Sequence, residues 1–244
     1  LPEVPSIFIT HQLAPISGMG RMADELLRRT LYHFINRFAE CWVPDLEGEP
    51  NLAGRLSHPG KLPRIPVRYI GLLSRLEPGT PAKGSDLLFL LSGPEPQRSL
   101  LEIAVLREWD HLHLAHPGTK ILVRGQPGAS STSSMGVTSF DHLPASELVK
   151  LIAGAGLIVC RPGYSTIMDL LRLGKTALLI PTPGQTEQEY LADRVSAWGS
   201  FECHAQSTID GHLGDTLSKL RKLEAPAFPG AFDQFKKAID AFVF

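Results

Sequence analysis

Neither sign of charge is in excess in this chain: 24 Lys and Arg face 25 Asp and Glu, for a net charge of −1. The basic footprint of a nucleic-acid-binding surface is therefore missing. Cysteine is scarce and odd in number. Cys41, Cys160 and Cys203 stand far apart and read as free thiols of a reducing compartment, not as a disulfide frame. No apolar run approaches the roughly 20 residues that span a bilayer. A signal-peptide pattern is also lacking. The chain opens on Leu1 and reaches its first strand-like run at once, at residues 7–10, so the sequence reads as a fragment whose front is absent. Material for a core is ample: 43% of the 244 residues are apolar, enough for one large domain or two small ones.

The order of elements predicts an α/β protein. Residues 7–10 form a strand and 22–38 a helix whose Leu26, Leu27, Leu31, Phe34, Ile35 and Phe38 recur at helical spacing, as one face packed on a sheet. Arg28, Arg29 and Arg37 fall largely off that face. Residues 40–45 and 67–71 are short strands on either side of a Gly/Pro-rich loop at 46–66. Residues 76–86 have linker composition. Beyond them β and α units alternate. Strands fall at 86–92, 120–124, 156–160 and 177–180; helices fall at 99–109, 146–155, 166–173 and 187–197; a polar loop covers 126–135. Gly174 ends the third of these helices. Continuous apolar strands alternating with helices imply a parallel sheet covered on both faces. Residues 232–242 close the chain as an amphipathic helix. The expected domains are 1–75, a linker at 76–86, a second domain at 87–228 and the C-terminal helix at 229–244.

Three β-to-α turns carry candidate chemistry. In the first, the strand ending at Cys160 runs through Arg161, Pro162 and Gly163 into Tyr164-Ser165-Thr166, with Asp169 read as a carboxylate in the first turn of the helix. Such a carboxylate stabilises a helix start by about 0.3–1 kcal/mol. The same residue could accept two hydrogen bonds from a ribose diol, with Gly163, Ser165 and Thr166 offering close backbone and donors. The residues alone weigh these two readings evenly. In the second turn, Ser92-Gly93-Pro94-Glu95-Pro96-Gln97-Arg98 offers N–H groups to a diphosphate, with Arg98 as counter-charge. An ordinary proline-stiffened turn explains it too, because it holds neither a dinucleotide fingerprint nor a P-loop. In the third, Gln188 and Glu189 open a helix after the strand at 177–180. Amides and carboxylates bind sugar hydroxyls, although a solvated helix start is the commoner meaning. The histidines at 111, 113 and 116 lack a carboxylate ligand nearby, and no metal site is expected of them. Gly163 to Ile167 is one glycine short of a nucleophile elbow, with His204 and His212 following in triad order. His11, after the first strand, is a core or cleft histidine.

The stretch from Cys160 to Asp169, with Pro181 and Gln188, resembles the donor-binding domain of family 28 glycosyltransferases of the GT-B fold. The resemblance implies two Rossmann-like parallel-sheet domains, the first incomplete here. It puts Asp169 on the uridine ribose, where the family usually carries glutamate. Gln188 falls where the family meets the donor sugar, with Glu189 beside it. The family's diphosphate loop falls on Ser92, Gly93 and Arg98, with Pro94 and Pro96 in place of small residues. Arg75 matches an arginine at the interdomain junction, and the loop around Leu143 borders the base. Val4 to Asp45 looks like the rear of the acceptor domain, with Thr10-His11-Gln12-Leu13 at a His-Glu-Gln-Asn run; His11 is a weak candidate for a catalytic group.

The function implied by the resemblance is that of a cytoplasmic hexosyltransferase using a UDP-sugar and an unspecified glycan or lipid-linked acceptor, with no cofactor and no obligatory metal. Peripheral contact with the inner face of a membrane would belong to the absent front. Two alternatives stay open: a nucleotide-sugar hydrolase or epimerase of the same fold, and a donor-binding module inactive without a partner chain.

Overall fold

The computed structural model describes residues 5–79, 84–115, 118–126, 137–220, 223–224, 228 and 230–242. The chain divides into two compact units, residues 1–73 with 228–244, and residues 74–227.

The first unit is built on a three-stranded parallel sheet, β1 (Ile7–Ile9), β2 (Glu40–Val43) and β3 (Val67–Tyr69), in that order. Helix α1 (Arg21–Ile35) joins β1 to β2. Its packing corrects the expectation from the sequence. Tyr32 and Ile35 are buried with Leu13, Cys41 and Val43, but Leu26, Phe34 and Leu27 are 66%, 51% and 42% exposed. The helix carries two apolar stripes, and the small sheet covers one. Arg28 is also not an outward residue. Its guanidinium lies 4.9 Å from the Tyr32 ring centroid and pairs with Glu25.

The Gly/Pro-rich loop at 46–66 is ordered by one carboxylate. Asp45 is fully buried and accepts hydrogen bonds from the N–H groups of Leu46, Leu52 and Ala53 and from the Ser57 hydroxyl. Four donors on one carboxylate satisfy a charge that would otherwise be costly to bury.

The second unit holds a six-stranded, wholly parallel sheet. Its strands are β4 (Leu87–Leu90), β5 (Lys120–Val123), β6 (Thr138–Phe140), β7 (Leu157–Cys160), β8 (Ala177–Leu179) and β9 (Phe201–Cys203). They lie in the order β6-β5-β4-β7-β8-β9. Counted within the unit this is 3-2-1-4-5-6, the doubly wound order whose ligand crevice opens between the first and fourth strands, at their carboxyl ends. The crevice therefore lies beyond Leu90 of β4 and Cys160 of β7, which pair in register. Helices α2 (Gln97–Arg107), α4 (Ala145–Gly154), α5 (Tyr164–Arg172) and α6 (Thr186–Ser196) make the crossovers. A break at Glu108 separates α2 from α3 (Trp109–Ala115), where one helix was expected. Leu87, Phe89 and Leu91 of the β4 strand and Leu101, Val105 and Trp109 of α2 and α3 anchor the core.

Residues 74–79 group with the second unit and not with a free linker. Arg75 and Glu77 form ion pairs with Asp169 and Arg172 of α5. The linker's residues 80–83, and residues 127–135 of the expected polar loop, lie outside the described residues. After α7 (Gln206–Ile209) and α8 (Leu213–Ser218), the last helix, α9 (Gln234–Phe242), returns to the first unit. There Phe235 and Phe242 meet the Trp42 ring edge-on. Among the described residues no helix is long and apolar enough to cross a membrane.

Candidate nucleotide site

A cavity of about 180 Å³ opens in the second unit at the carboxyl ends of β4 and β5. It is smaller than the roughly 300–1,000 Å³ of a drug-sized site, so it has room for a fragment such as a base. Leu90, Leu143, Leu148, Ile152 and Leu170 give it apolar walls. Its polar groups come from Arg75, Ser92, His142, Thr166 and Asp169. Five residues singled out from the sequence, Arg75, Ser92, Leu143, Thr166 and Asp169, are thus brought to one place. His142 was missed; it sits beside Leu143 with nothing in the local pattern to mark it.

Among the described residues, Asp169 is the only acidic one on the cavity wall, and it is 8% exposed. Helix α5 begins at Tyr164, so Asp169 is its sixth residue and lies beyond the first turn. The helix-start explanation therefore falls away, because the dipole effect fades within that turn. The Ser74 hydroxyl donates to Asp169 Oδ1 at 2.6 Å, and Arg75 Nε lies 3.7 Å from Oδ2. Arg75 is 67% exposed, so this ion pair adds little stability. Burial pushes the Asp169 carboxyl above its ordinary value, against the lowering pull of Ser74 and Arg75. The fold thus holds a largely buried carboxylate in the cavity wall, bonded to the Ser74 hydroxyl.

Gly163 is the N-cap of α5 with φ −67°, a conformation open to any residue. A Cβ there would lie 3.5 Å from the Thr166 hydroxyl, an ordinary contact, so neither backbone nor packing demands glycine at this position. Ser165 is exposed and Thr166 half-buried in the same first turn. The first N–H groups of an α-helix have no intrahelical acceptor and favour an anion.

Arg98 is a correction. It is 3% exposed, with its guanidinium held by Glu95, Glu102, Ser99 and the Arg124 carbonyl. Glu102 also accepts from Arg124, which reaches Asp141. This buried network ties α2 to the ends of β5 and β6, and it takes Arg98 away from the diphosphate role. Gly93, in the same β-to-α turn, has φ +102° and lies near Thr182, whose hydroxyl a Cβ would approach to 3.7 Å.

Gln188 and Glu189 order the turn before α6. Gln188 Oε1 accepts the Thr182 N–H, its amide donates to Gln185, and Glu189 Oε1 accepts the Gly184 N–H. His11 lies in the first unit just past β1 and is half-buried. His204 faces Glu202, with 3.0 Å between its Nε2 and Oε1. Among the described residues no three potential metal ligands converge; His116 and the side chain of His113 lie outside them.

Gly125 supports the cavity from below. It has φ +71°, and a Cβ there would sit 2.3 Å from the Leu91 carbonyl oxygen. Left-handed backbone costs a non-glycine residue roughly 1–2 kcal/mol, and the clash adds to it. Gly125→Ala should lower the thermal unfolding midpoint by several degrees, at about 2–4 °C per kcal/mol for a chain of this size. An unchanged midpoint in a thermal scan would show that the backbone gives way freely.

Residues 120–238 match the glycosyltransferase family 28 C-terminal domain. Just under half of the chain is thus similar to the C-terminal domain of glycosyltransferase family 28. Two curated relatives share the name UDP-N-acetylglucosamine–N-acetylmuramyl-(pentapeptide) pyrophosphoryl-undecaprenol N-acetylglucosamine transferase. The one from Acidiphilium cryptum is 26% identical over 229 residues, covering 88% of this chain and 56% of the relative. The one from Albidiferax ferrireducens is 25% identical over 235 residues, covering 88% and 53%. The chain thus spans about half the length of these relatives. Among solved structures, the glycotransferase of kitacinnamycin superposes with a TM-score of 0.54 at 15% identity, over 96% of this chain and 65% of that one. MurG of Acinetobacter baumannii gives 0.50 at 13% identity, over 98% and 66%. These likenesses give the fold, that of the GT-B glycosyltransferases, built from parallel-sheet units.

Proposed function

We propose that the chain carries the donor side of a glycosyltransferase that moves a hexose or N-acetylhexosamine from a UDP-sugar to an acceptor hydroxyl. The observation that carries this is Asp169, a buried carboxylate in the wall of an apolar cavity at the topological switch point. The match to the family 28 C-terminal domain and the UDP-sugar in the relatives' names support it.

In this reading the base enters between Leu143 and Leu170, and Asp169 exchanges the Ser74 hydroxyl and the more distant Arg75 for the ribose diol. The diphosphate lies over Gly163 and the N-terminus of α5, facing the Ser92-Gly93 turn. In the reaction the acceptor hydroxyl oxygen forms a bond to the sugar's anomeric carbon as the bond from that carbon to the diphosphate oxygen breaks; the diphosphate leaves with the electron pair, and the hydroxyl proton passes to solvent or to the departing diphosphate. Helix N–H groups and Arg75 stabilise that charge, so the reading requires no metal ion. Gln188 and Glu189 read the sugar once the contacts they make within their own turn are exchanged. A UDP-sugar donor and free Cys41, Cys160 and Cys203 fit a reducing cytoplasm.

The test is a calorimetric titration of the folded chain with UDP and with AMP, in a buffer containing a chelator. UDP should bind and AMP should not. Equal binding, or no UDP binding, overturns the reading. Free sugar released from a UDP-sugar without acceptor would move the assignment to a hydrolase, and an altered sugar to an epimerase.

A further inference from the structure

Arg161 stands in the turn after β7, 1% exposed. Its Nη1 donates to the carbonyls of Ile180 and Pro181, both at 2.9 Å. Its Nη2 donates to the Gln97 carbonyl at 2.9 Å and to Gln206 Oε1 at 2.6 Å. Its Nε is buried and has no hydrogen-bond partner among the described residues. One side chain thus joins four segments: the start of α2 after the β4 turn, its own turn after β7, the turn after β8, and α7.

All four acceptors are neutral, and no carboxylate among the described residues pairs with it. That is unusual, since buried charges are normally paired and a lone one is costly. A buried guanidinium serving only as a bracket gains most from a carboxylate partner, and position 206 could supply one at no steric cost. Burial draws its pKa down to about 10, which leaves it charged at neutral pH. A second orphan stands in the turn after β8: the Thr182 hydroxyl, 2% exposed and without a partner among the described residues, 3.7 Å from where a Cβ on Gly93 would sit. Two unspent donors thus underlie the edge of the sheet where an anion would sit.

We infer that Arg161 is a positioning residue for the donor's diphosphate: its unneutralised charge, buried in the turn after β7, favours the anion at the crevice while its four bonds tie that turn to the start of α2, the turn after β8 and α7. The inference rests on the nucleotide reading of the site. It accounts for the missing carboxylate, because an internal counter-ion would cancel the field at the crevice. In a low-dielectric interior that field is screened far less than a surface charge.

The decisive variant is Gln206→Glu, which places a carboxylate on Arg161 without changing shape or removing a bond. UDP and uridine are titrated against the parent and the variant by calorimetry. UDP affinity should fall at least fivefold while uridine affinity stays within twofold and the unfolding midpoint does not drop. If both ligands weaken equally, or UDP is unaffected, the charge has no role and Arg161 is only a bracket. Arg161→Lys is the second variant. It keeps the charge with fewer bonds, and the ratio of UDP to uridine affinity should stay within about threefold of the parent's; a collapsed ratio in folded protein overturns the inference. A parent that binds neither ligand would instead refute the nucleotide reading itself.

Discussion

Asp169→Asn should weaken UDP binding at least tenfold and leave the protein more heat-stable than its parent. The first effect follows from the loss of a charged acceptor. Hydrogen bonds to an ionised group contribute about 1.5–3 kcal/mol, and 1.4 kcal/mol is a factor of about ten in affinity. The second follows from linkage. The folded-state pKa of Asp169 is raised above the ordinary value of 3.8. Such a group stabilises the fold only below its unfolded pKa, and that contribution disappears as pH rises through the folded pKa. At neutral pH the carboxylate is therefore a net burden, which asparagine removes while still accepting from Ser74. The gain in melting temperature should vanish on acidification. UDP affinity of the parent should fall as the carboxylate is protonated, with half-loss above pH 3.8. Calorimetry and thermal scans on the two proteins across pH test all three. A variant that binds UDP as the parent does would remove Asp169 from the ribose.

Arg98→Met should behave in the opposite way. It should destabilise the protein severely and leave the UDP affinity of the folded molecules within about twofold. Arg98 and Glu102 are 3% and 8% exposed, and their 2.7 Å pair continues through Arg124 to Asp141. Removing one member of a buried pair costs roughly 3–5 kcal/mol, because the other charge stays uncompensated. For a chain of this length that is a midpoint lowered by about 6–20 °C. Arg124 keeps part of Glu102 satisfied, so the loss should fall short of complete unfolding at room temperature. A stable variant with UDP binding cut tenfold would return Arg98 to the phosphate. The pair of variants separates a functional carboxylate from a structural cation, two residues that the sequence offers as ligand-binding candidates of unequal strength.

The difference shows what the sequence makes legible. Strong apolar strands with glycine turns announce themselves, so β4, β5, β7 and β8 and the residues just beyond them stand where the pattern puts them. Edge strands do not: Thr138-Ser139-Phe140 and Phe201-Glu202-Cys203 are short and half polar, and only pairing with β5 and β8 makes them strands. Arg98 stands in a β-to-α turn pattern that suggests a counter-charge for a diphosphate, and nothing there marks Glu102, four residues on, as its buried partner. Their burial depends on Arg124 and Asp141, which belong to other elements. Arg161 lies inside the most telling motif and yet has no role legible there, because its partners at 97, 180, 181 and 206 are far away in sequence. The spacing of α1 predicts one buried face, whereas the number of strands beneath it decides how much of that face is covered. Periodicity names what can be buried; tertiary contacts choose what is.

The return of α9 to the first unit has a consequence for how the protein is made. Trp42 of β2 packs on Phe235 and Phe242, and the Leu72 N–H bonds the Ala231 carbonyl at 2.7 Å. Synthesis runs from the N-terminus, and domains generally fold in that order as they emerge. Here the order is inverted. The 74–227 unit has all its strands before residue 228 leaves the ribosome, while the unit that begins the chain must hold Trp42 and Ile70 exposed until α9 arrives. For that interval the nascent chain presents a hydrophobic surface whose native cover has yet to be translated.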